Sequence, residues 1–132
     1  MKKKIMIDMS VTLLHHGHLR LIKKARKYGN LIIALTTDKE IRKYKGYTPE
    51  LRFKFRKEIL EEIKGVKKVI PSKWLITQKF LDKQKIDILI SGGDYKNRKF
   101  KTKMINFERT KFISSVLIRK KAAKIFMISN EK

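Results

Sequence analysis

Two apolar runs constrain this chain most: the continuous "LIIALTT" (31–37) and "IDILISGGD" (86–94), apolar from Ile88 to Ile90. A strand with one wet face alternates apolar and polar residues. Runs without alternation are buried on both faces, as in a parallel sheet covered by helices. The segments around them agree. "KIMIDMS" (4–10) reads as a strand, and "HLRLIKKARKYG" (18–29) places Leu21, Ile22, Ala25 and Tyr28 at helical spacing before the stop signal Gly29. "DKEIRKYKG" is a short polar helix or loop. The stretch 48–65 predicts a helix with Thr48 as N-cap, Pro49 at its first position and Gly65 at its end. "KKVIP" is a strand closed by Pro71, and "KWLITQKFLDKQK" (73–85) predicts a helix weakened at Ile76-Thr77. "KMINFE" (103–108) is the last strand and "SSVLIRKKAAK" (114–124) the last helix. Strands alternating with helices predict an α/β fold: a doubly wound, mostly parallel sheet of about five strands with helices on both faces. With 132 residues, one domain over 1–132 is expected.

In such sheets ligands bind beyond the carboxyl ends of the strands, at the switch point. That rule selects Ser10–His18, Thr36–Asp38, Ser91–Tyr95 and Glu108–Ser115. All 3 histidines of the chain lie in the first of these, in "HHGH" (15–18). His15 and His18 share one side of a helix mouth. Gly17 removes a side chain where ligand oxygens would approach. The helix N-terminus supplies free N–H groups and a positive dipole end suited to phosphate. The chain has no cysteine, so a zinc site would need carboxylates for its remaining ligands. A proton-transfer dyad would need a carboxylate orienter, which residues 9–14 do not offer. A capping turn that happens to hold histidines is the structural alternative.

The formal net charge is +23, from 35 Lys and Arg against 12 Asp and Glu. Such a field attracts nucleic acid, anionic membrane surfaces or phosphorylated metabolites. The basic residues are mostly lysine, spread along a chain also rich in isoleucine. This fits codon bias plus phosphorylated ligands better than a nucleic-acid surface, because no basic run carries base-stacking aromatics. No apolar run approaches the ~20 residues of a membrane span, and the N-terminus reads as a strand instead of a signal peptide. The expectation is a cytoplasmic protein without membrane insertion or a nucleic-acid partner.

"SVTLLHHGHLRLIKKA" resembles the HxGH signature of cytidylyltransferase-type nucleotidyltransferases, in particular the small glycerol-3-phosphate cytidylyltransferase branch. The resemblance runs on through "LTTD" (35–38), "FRKEILEEIKGVKKVIP" (55–71), "IDILISGGDY" (86–95) and "RTKFISSVLIRK" (109–120). It covers nearly the whole chain in order. It implies a Rossmann-like fold and transfer of CMP from CTP to a phosphorylated alcohol, with in-line attack, release of pyrophosphate and no covalent intermediate. The CDP-alcohol product would be a phospholipid or cell-surface polymer precursor. Catalysis would then rest on positioning and on stabilising charge at the α-phosphorus.

The resemblance also implies roles. His15 and His18 contact the triphosphate, and His16 points elsewhere. Lys45, with Lys43 as the alternative in that loop, reaches the phosphates, and Arg56 binds phosphate near the acceptor. Ser10, Val11, Gly17, Gly92, Asp94, Tyr95, Arg109, Thr110 and Ile113 hold the nucleotide. Ser114 and Ser115 open the last helix for the β- and γ-phosphates, although an ordinary N-cap accounts for them equally. Thr12 and Arg56 form the acceptor side. Mg²⁺ is the implied cofactor, held mainly by phosphates with Asp94 as its candidate protein ligand. Asp38 serves structure or function equally well. A homodimer is implied, with an edge strand and "KWLITQKFL" as contributors. A phosphocholine acceptor would require an aromatic cage, for which Trp74, Tyr44, Tyr47 and Tyr95 are available.

Three departures from the family pattern bear on function. Met9, Ser10, Val11 and Thr12 replace its Gly-Thr/Val-Phe-Asp run, which removes a glycine and a carboxylate near the reaction centre. Gly93 stands where a second Asp is common. Phe112 replaces the glycine before "ISS". The alternatives are therefore adenylyl transfer from ATP, or a basic nucleotide- or nucleic-acid-binding module with impaired catalysis.

Overall fold

A computed structural model describes residues 2–93 and 98–130. Five strands form one sheet: β1 (Lys4–Met9), β2 (Asn30–Thr36), β3 (Val66–Ser72), β4 (Ile88–Ser91) and β5 (Lys103–Asn106). Their order is β3-β2-β1-β4-β5, and every pairing is parallel. Ile7 lies beside Ile33 on one side and Ile90 on the other. The apolar runs are thus the central strands. Alternate residues feed two cores. Ile5, Ile7, Leu31 and Ile33 pack with Ile22 and Ala25 of α1 (His16–Ala25) and Leu60 of α3 (Phe53–Glu61). Met6, Ile32, Ala34 and Leu89 pack on the opposite face with Leu81 of α4 (Gln78–Lys83). Helices therefore cover both faces, as the patterning predicts. No helix among the described residues is long and apolar enough to cross a membrane.

Element ends depart from the sequence reading where side chains were needed elsewhere. The helix predicted over 48–65 runs only from Phe53 to Glu61, and Thr48 does not cap it. Asp38 caps it from a distance, accepting the Phe53 N–H at 3.0 Å, and residues 47–52 form a loop. The helix predicted over 73–85 begins at Gln78, with Thr77 as its cap. Residues 73–77 are pinned instead to α2 (Asp38–Lys45): the Trp74 N–H donates to Glu40 at 2.9 Å, and the Trp74 ring stacks on Tyr44. The first helix starts at His16, and its last turn is 3₁₀ (Arg26–Tyr28). The C-terminal helix α5 (Ser115–Asn130) outruns its predicted end.

Candidate active site

The strand order reverses between β1 and β4, and a cleft of about 470 Å³ opens above their carboxyl ends. That volume suits a small-molecule ligand. It is lined from β1 by Ser10, Val11 and Thr12, from the mouth of α1 by His15, Gly17 and His18, and from α2 by Lys45. Gly92 contributes from the end of β4, and the segment before α5 contributes Arg109, Thr110, Ile113, Ser114 and Ser115. The structure thus brings together all but three of the residues expected from sequence. Asp94 and Tyr95 lie outside the described residues.

The third exception is a correction. Arg56 does not line the cleft. Its side chain is 1% exposed beneath the cleft floor. Nη1 donates to the carbonyls of Ser10 (2.6 Å) and Thr36 (2.9 Å), Nε to that of Leu51 (3.0 Å), and Nη2 to the Asp38 carboxylate (2.7 Å). The guanidinium fork clamps the ends of β1 and β2 together and is spent on protein groups, so it is not placed to bind an acceptor. Burial pushes the Asp38 carboxyl up, but the Phe53 N–H and Arg56 outweigh it and hold it below the usual carboxylate range. Asp38 is structural.

The histidine turn uses its rings twice. His15 is the N-cap of α1, and its Nδ1 accepts the Gly17 N–H at 3.1 Å. His18 reaches back, its Nδ1 accepting the His15 N–H at 3.1 Å. Two of the helix's orphan donors are thus satisfied reciprocally, with imidazoles in place of the usual hydroxyl and carboxylate. A neutral imidazole that accepts at Nδ1 carries its proton at Nε2. Both Nε2–H groups are therefore donors. The rings stack at 3.8 Å between centroids. Capping and ligand binding are therefore compatible, because they use different nitrogens. Gly17 is required for this folding of the turn: a Cβ there would sit 2.8 Å from Cε1 of His15. The glycine makes room for the ring itself. His16 is exposed, as expected of a bystander.

Burial, joined by the nearby His15 and Arg109, lowers His18 from 6.5 to about 4. Burial and His16 lower His15 as well. His18 is thus neutral at pH 7. Between pH 6.5 and 4 the unfolded chain binds a proton that the folded chain refuses, so acidification across this window removes stability. The His18 contribution is whole above pH 6.5, fades as pH falls and is gone below about 4, a loss of up to about 3 kcal/mol. Denaturant titrations from pH 7 to 4 are expected to show this slope, and His18→Asn is expected to flatten it.

Ser114 and Ser115 build the site differently from each other. Ser114 Oγ accepts the Leu117 N–H (3.1 Å) and caps α5. Ser115 Oγ donates to the Leu13 carbonyl (2.9 Å) and accepts the Leu13 N–H (3.3 Å), fastening α5 to the histidine loop across 102 residues of sequence. Arg109 donates from Nε to the Gly92 carbonyl, tying the segment before α5 to the end of β4. Lys45 lies 5.7 Å from the centre of the Trp74 ring at the cleft wall.

The altered "MSVT" segment folds without the family glycine. Met9 stays in strand register beside Leu35 and packs in the core. The turn falls on Val11, buried with φ +44°, a left-handed conformation costly for a β-branched residue. Phe112 also adopts φ +65° and is 95% exposed. Its backbone lies in the left-handed region that favours glycine, and its exposed ring offsets little of that cost. Phe112→Gly is therefore expected to stabilise the fold by about 1 kcal/mol, read as a higher Tm.

The sequence reading overlooked Arg20 and Lys24, which extend the basic wall along α1, and Leu75; Trp74 and Tyr47, named from sequence only as candidates for an aromatic cage, also line the cleft. The i, i+4 spacing of Arg20 and Lys24 was a usable signal.

The cytidylyltransferase-like family model matches residues 12–121. This chain belongs to that family. It is 34% identical over 125 residues to the glycerol-3-phosphate cytidylyltransferase of Staphylococcus aureus (strain NCTC 8325 / PS 47), covering 89% of this chain and 92% of the relative. It is 36% identical over 131 residues to the enzyme of that name from Bacillus spizizenii, covering 93% and 99%. It is also 33% identical over 96 residues to the ethanolamine-phosphate cytidylyltransferase of Mus musculus, covering 69% of this chain and 23% of that protein. The crystal structure of a lipopolysaccharide core biosynthesis protein from Thermoplasma volcanium GSS1 shares the fold, with a TM-score of 0.68 at 20% identity, covering 82% and 98%. The family member described here is a nucleotidyltransferase, and the histidine cleft is its candidate active site.

Proposed function

We propose that this nucleotidyltransferase transfers CMP from CTP to a phosphorylated alcohol, with glycerol 3-phosphate as the first candidate, and releases pyrophosphate. The carrying observation is the paired Nε2–H donors of His15 and His18 at the N-terminus of α1. They offer two neutral hydrogen bonds to phosphate oxygens. An acceptor phosphate oxygen attacks the α-phosphorus in line, the bond to the β-phosphate bridging oxygen breaks, and pyrophosphate leaves. The donors hold the charge that grows on the equatorial oxygens. Arg20, Lys24, Lys45 and Arg109 supply positive charge around the triphosphate.

The acceptor preference follows from the aromatic residues. Tyr44 and Trp74 stack on each other at 13° between planes, and Tyr47 is covered by Arg119. Among the described residues these rings are engaged with each other or with Arg119, so phosphocholine is the less favoured acceptor.

Mg²⁺ enters the proposal on the triphosphate. Among the described residues no group of three or more His, Cys, Asp or Glu could hold a metal ion. A cation bound chiefly by phosphate oxygens and water fits this donor set; bound, it would neutralise phosphate charge. Asp8 and Glu108 are the lining carboxylates that could add to its shell. A homodimer is part of the proposal, through the edge strand β3 and the exposed Leu75, and sedimentation at micromolar concentration tests it.

The deciding experiment measures pyrophosphate release with CTP or ATP over glycerol 3-phosphate, phosphocholine and phosphoethanolamine. Turnover with CTP and glycerol 3-phosphate is expected. Turnover with ATP alone would reassign the nucleotide, and none with either would refute the transferase reading.

A further inference from the structure

Thr12 is buried just beyond the end of β1, and its Oγ1 accepts an N–H from Nη2 of Arg119 at 3.3 Å. Arg119 stands on α5 one turn after Ser115, on the same side of the helix. Ser115 is fastened to Leu13, so the base of the arginine is fixed relative to the histidine turn. The guanidinium carbon lies 4.6 Å from the centre of the Tyr47 ring. Thr12 and Tyr47 both line the cleft. The guanidinium fork is engaged by Glu50, with Nη2 to Oε1 at 2.7 Å and Nε to Oε2. Glu50 belongs to the loop joining α2 to α3, and its side chain is 42% exposed against 27% for Arg119.

We propose that Arg119 binds the phosphate of the acceptor, and that Glu50 is its resting partner, displaced when a phosphorylated acceptor enters. This rests on the transferase reading above. A phosphate monoester offers the same two-oxygen fork as a carboxylate, with more charge and one further oxygen. The pair is partly exposed, so an incoming anion can reach the fork, and the greater charge of a phosphate favours it over the carboxylate. Position assigns the acceptor side. Gly92 and Arg109 line the cleft at the end of β4 and before α5, whereas Tyr47 and Trp74 line it from the segments after α2 and β3. Arg119 and Glu50 are not themselves lining residues but reach that side through the Arg119 contacts with Thr12 and Tyr47. Arg119 thus takes the acceptor-binding role that sequence reasoning gave to Arg56, which is buried and committed.

The test is calorimetric binding of glycerol 3-phosphate, phosphoethanolamine and phosphocholine to the wild type, Arg119→Ala, Arg119→Lys and Glu50→Gln, with CTP titrated in parallel. For the tightest-binding alcohol, Kd is expected to rise at least tenfold in Arg119→Ala and less in Arg119→Lys. It is expected to fall about threefold in Glu50→Gln, a gain that a purely structural ion pair would not produce. Kd for CTP is expected to stay within twofold. Unchanged acceptor binding in Arg119→Ala overturns the proposal. So does joint loss of acceptor and CTP affinity with a lower Tm, or no binding of any of the three alcohols to the wild type. Arg119-dependent binding without CMP transfer would refute the transferase reading and leave this assignment standing. Transfer with an unaltered acceptor KM in Arg119→Ala would do the reverse.

Discussion

His18→Asn is expected to lower kcat by about 10²–10³-fold while the protein stays folded. The asparagine Oδ1 can stand near the position of Nδ1 and still accept the His15 N–H, so the cap survives. Nothing then reaches the position of Nε2, and one donor to the developing charge is lost. Removing a single such donor typically costs that factor. Steady-state kinetics with CTP and glycerol 3-phosphate, beside thermal melts, separate the outcomes. A variant that melts at the wild-type temperature with kcat reduced supports the donor role. His18→Ala adds the loss of the cap, about 1 kcal/mol. If the Asn variant keeps wild-type kcat, the imidazoles serve only as caps.

Arg56→Met is expected to destabilise the fold by about 3–5 kcal/mol, because it strands the buried partners of a charged group. Three carbonyls and the Asp38 carboxylate each lose a donor at once, leaving Asp38 with the Phe53 N–H. For a domain this size that is a fall in Tm of roughly 10 °C or more. Lysine is not a conservative replacement, since one ammonium cannot span carbonyls from two strand ends and a loop. Equilibrium denaturation checks the magnitude. A variant of wild-type stability with only a raised acceptor KM would restore the phosphate-binding role to Arg56. Loss of activity in Arg56→Met is expected to follow the unfolded fraction, since the ends of β1 and β2 that carry Ser10 and Thr36 depend on this clamp.

Much of the molecule was legible in the sequence, for local reasons. Burial on both faces leaves strands with no polar alternation, so 31–37 and 88–90 announced a parallel sheet. The switch-point rule and the clustered histidines then placed the cleft. Legibility failed where a residue's partner is distant in sequence. The loop over 47–52 forms because Asp38, Arg56 and Arg119 draw it away from a helix. The segment 73–77 is claimed by Glu40 and Tyr44. Arginine at a motif position looks the same in sequence whether its fork faces solvent, ligand or carbonyls.

The amino-acid sequence thus determined the layers, the parallel sheet and the histidine turn, because hydrophobic period and helix-mouth chemistry act over a few neighbouring residues. Only the tertiary structure decided which arginine is buried and which reaches the cleft-lining Thr12 and Tyr47. Arg56 and Arg119 are 63 positions apart, and each orientation is set by carboxylates and carbonyls from other elements. A guanidinium goes where its five donors are best satisfied, and that becomes defined only when the chain has closed around it.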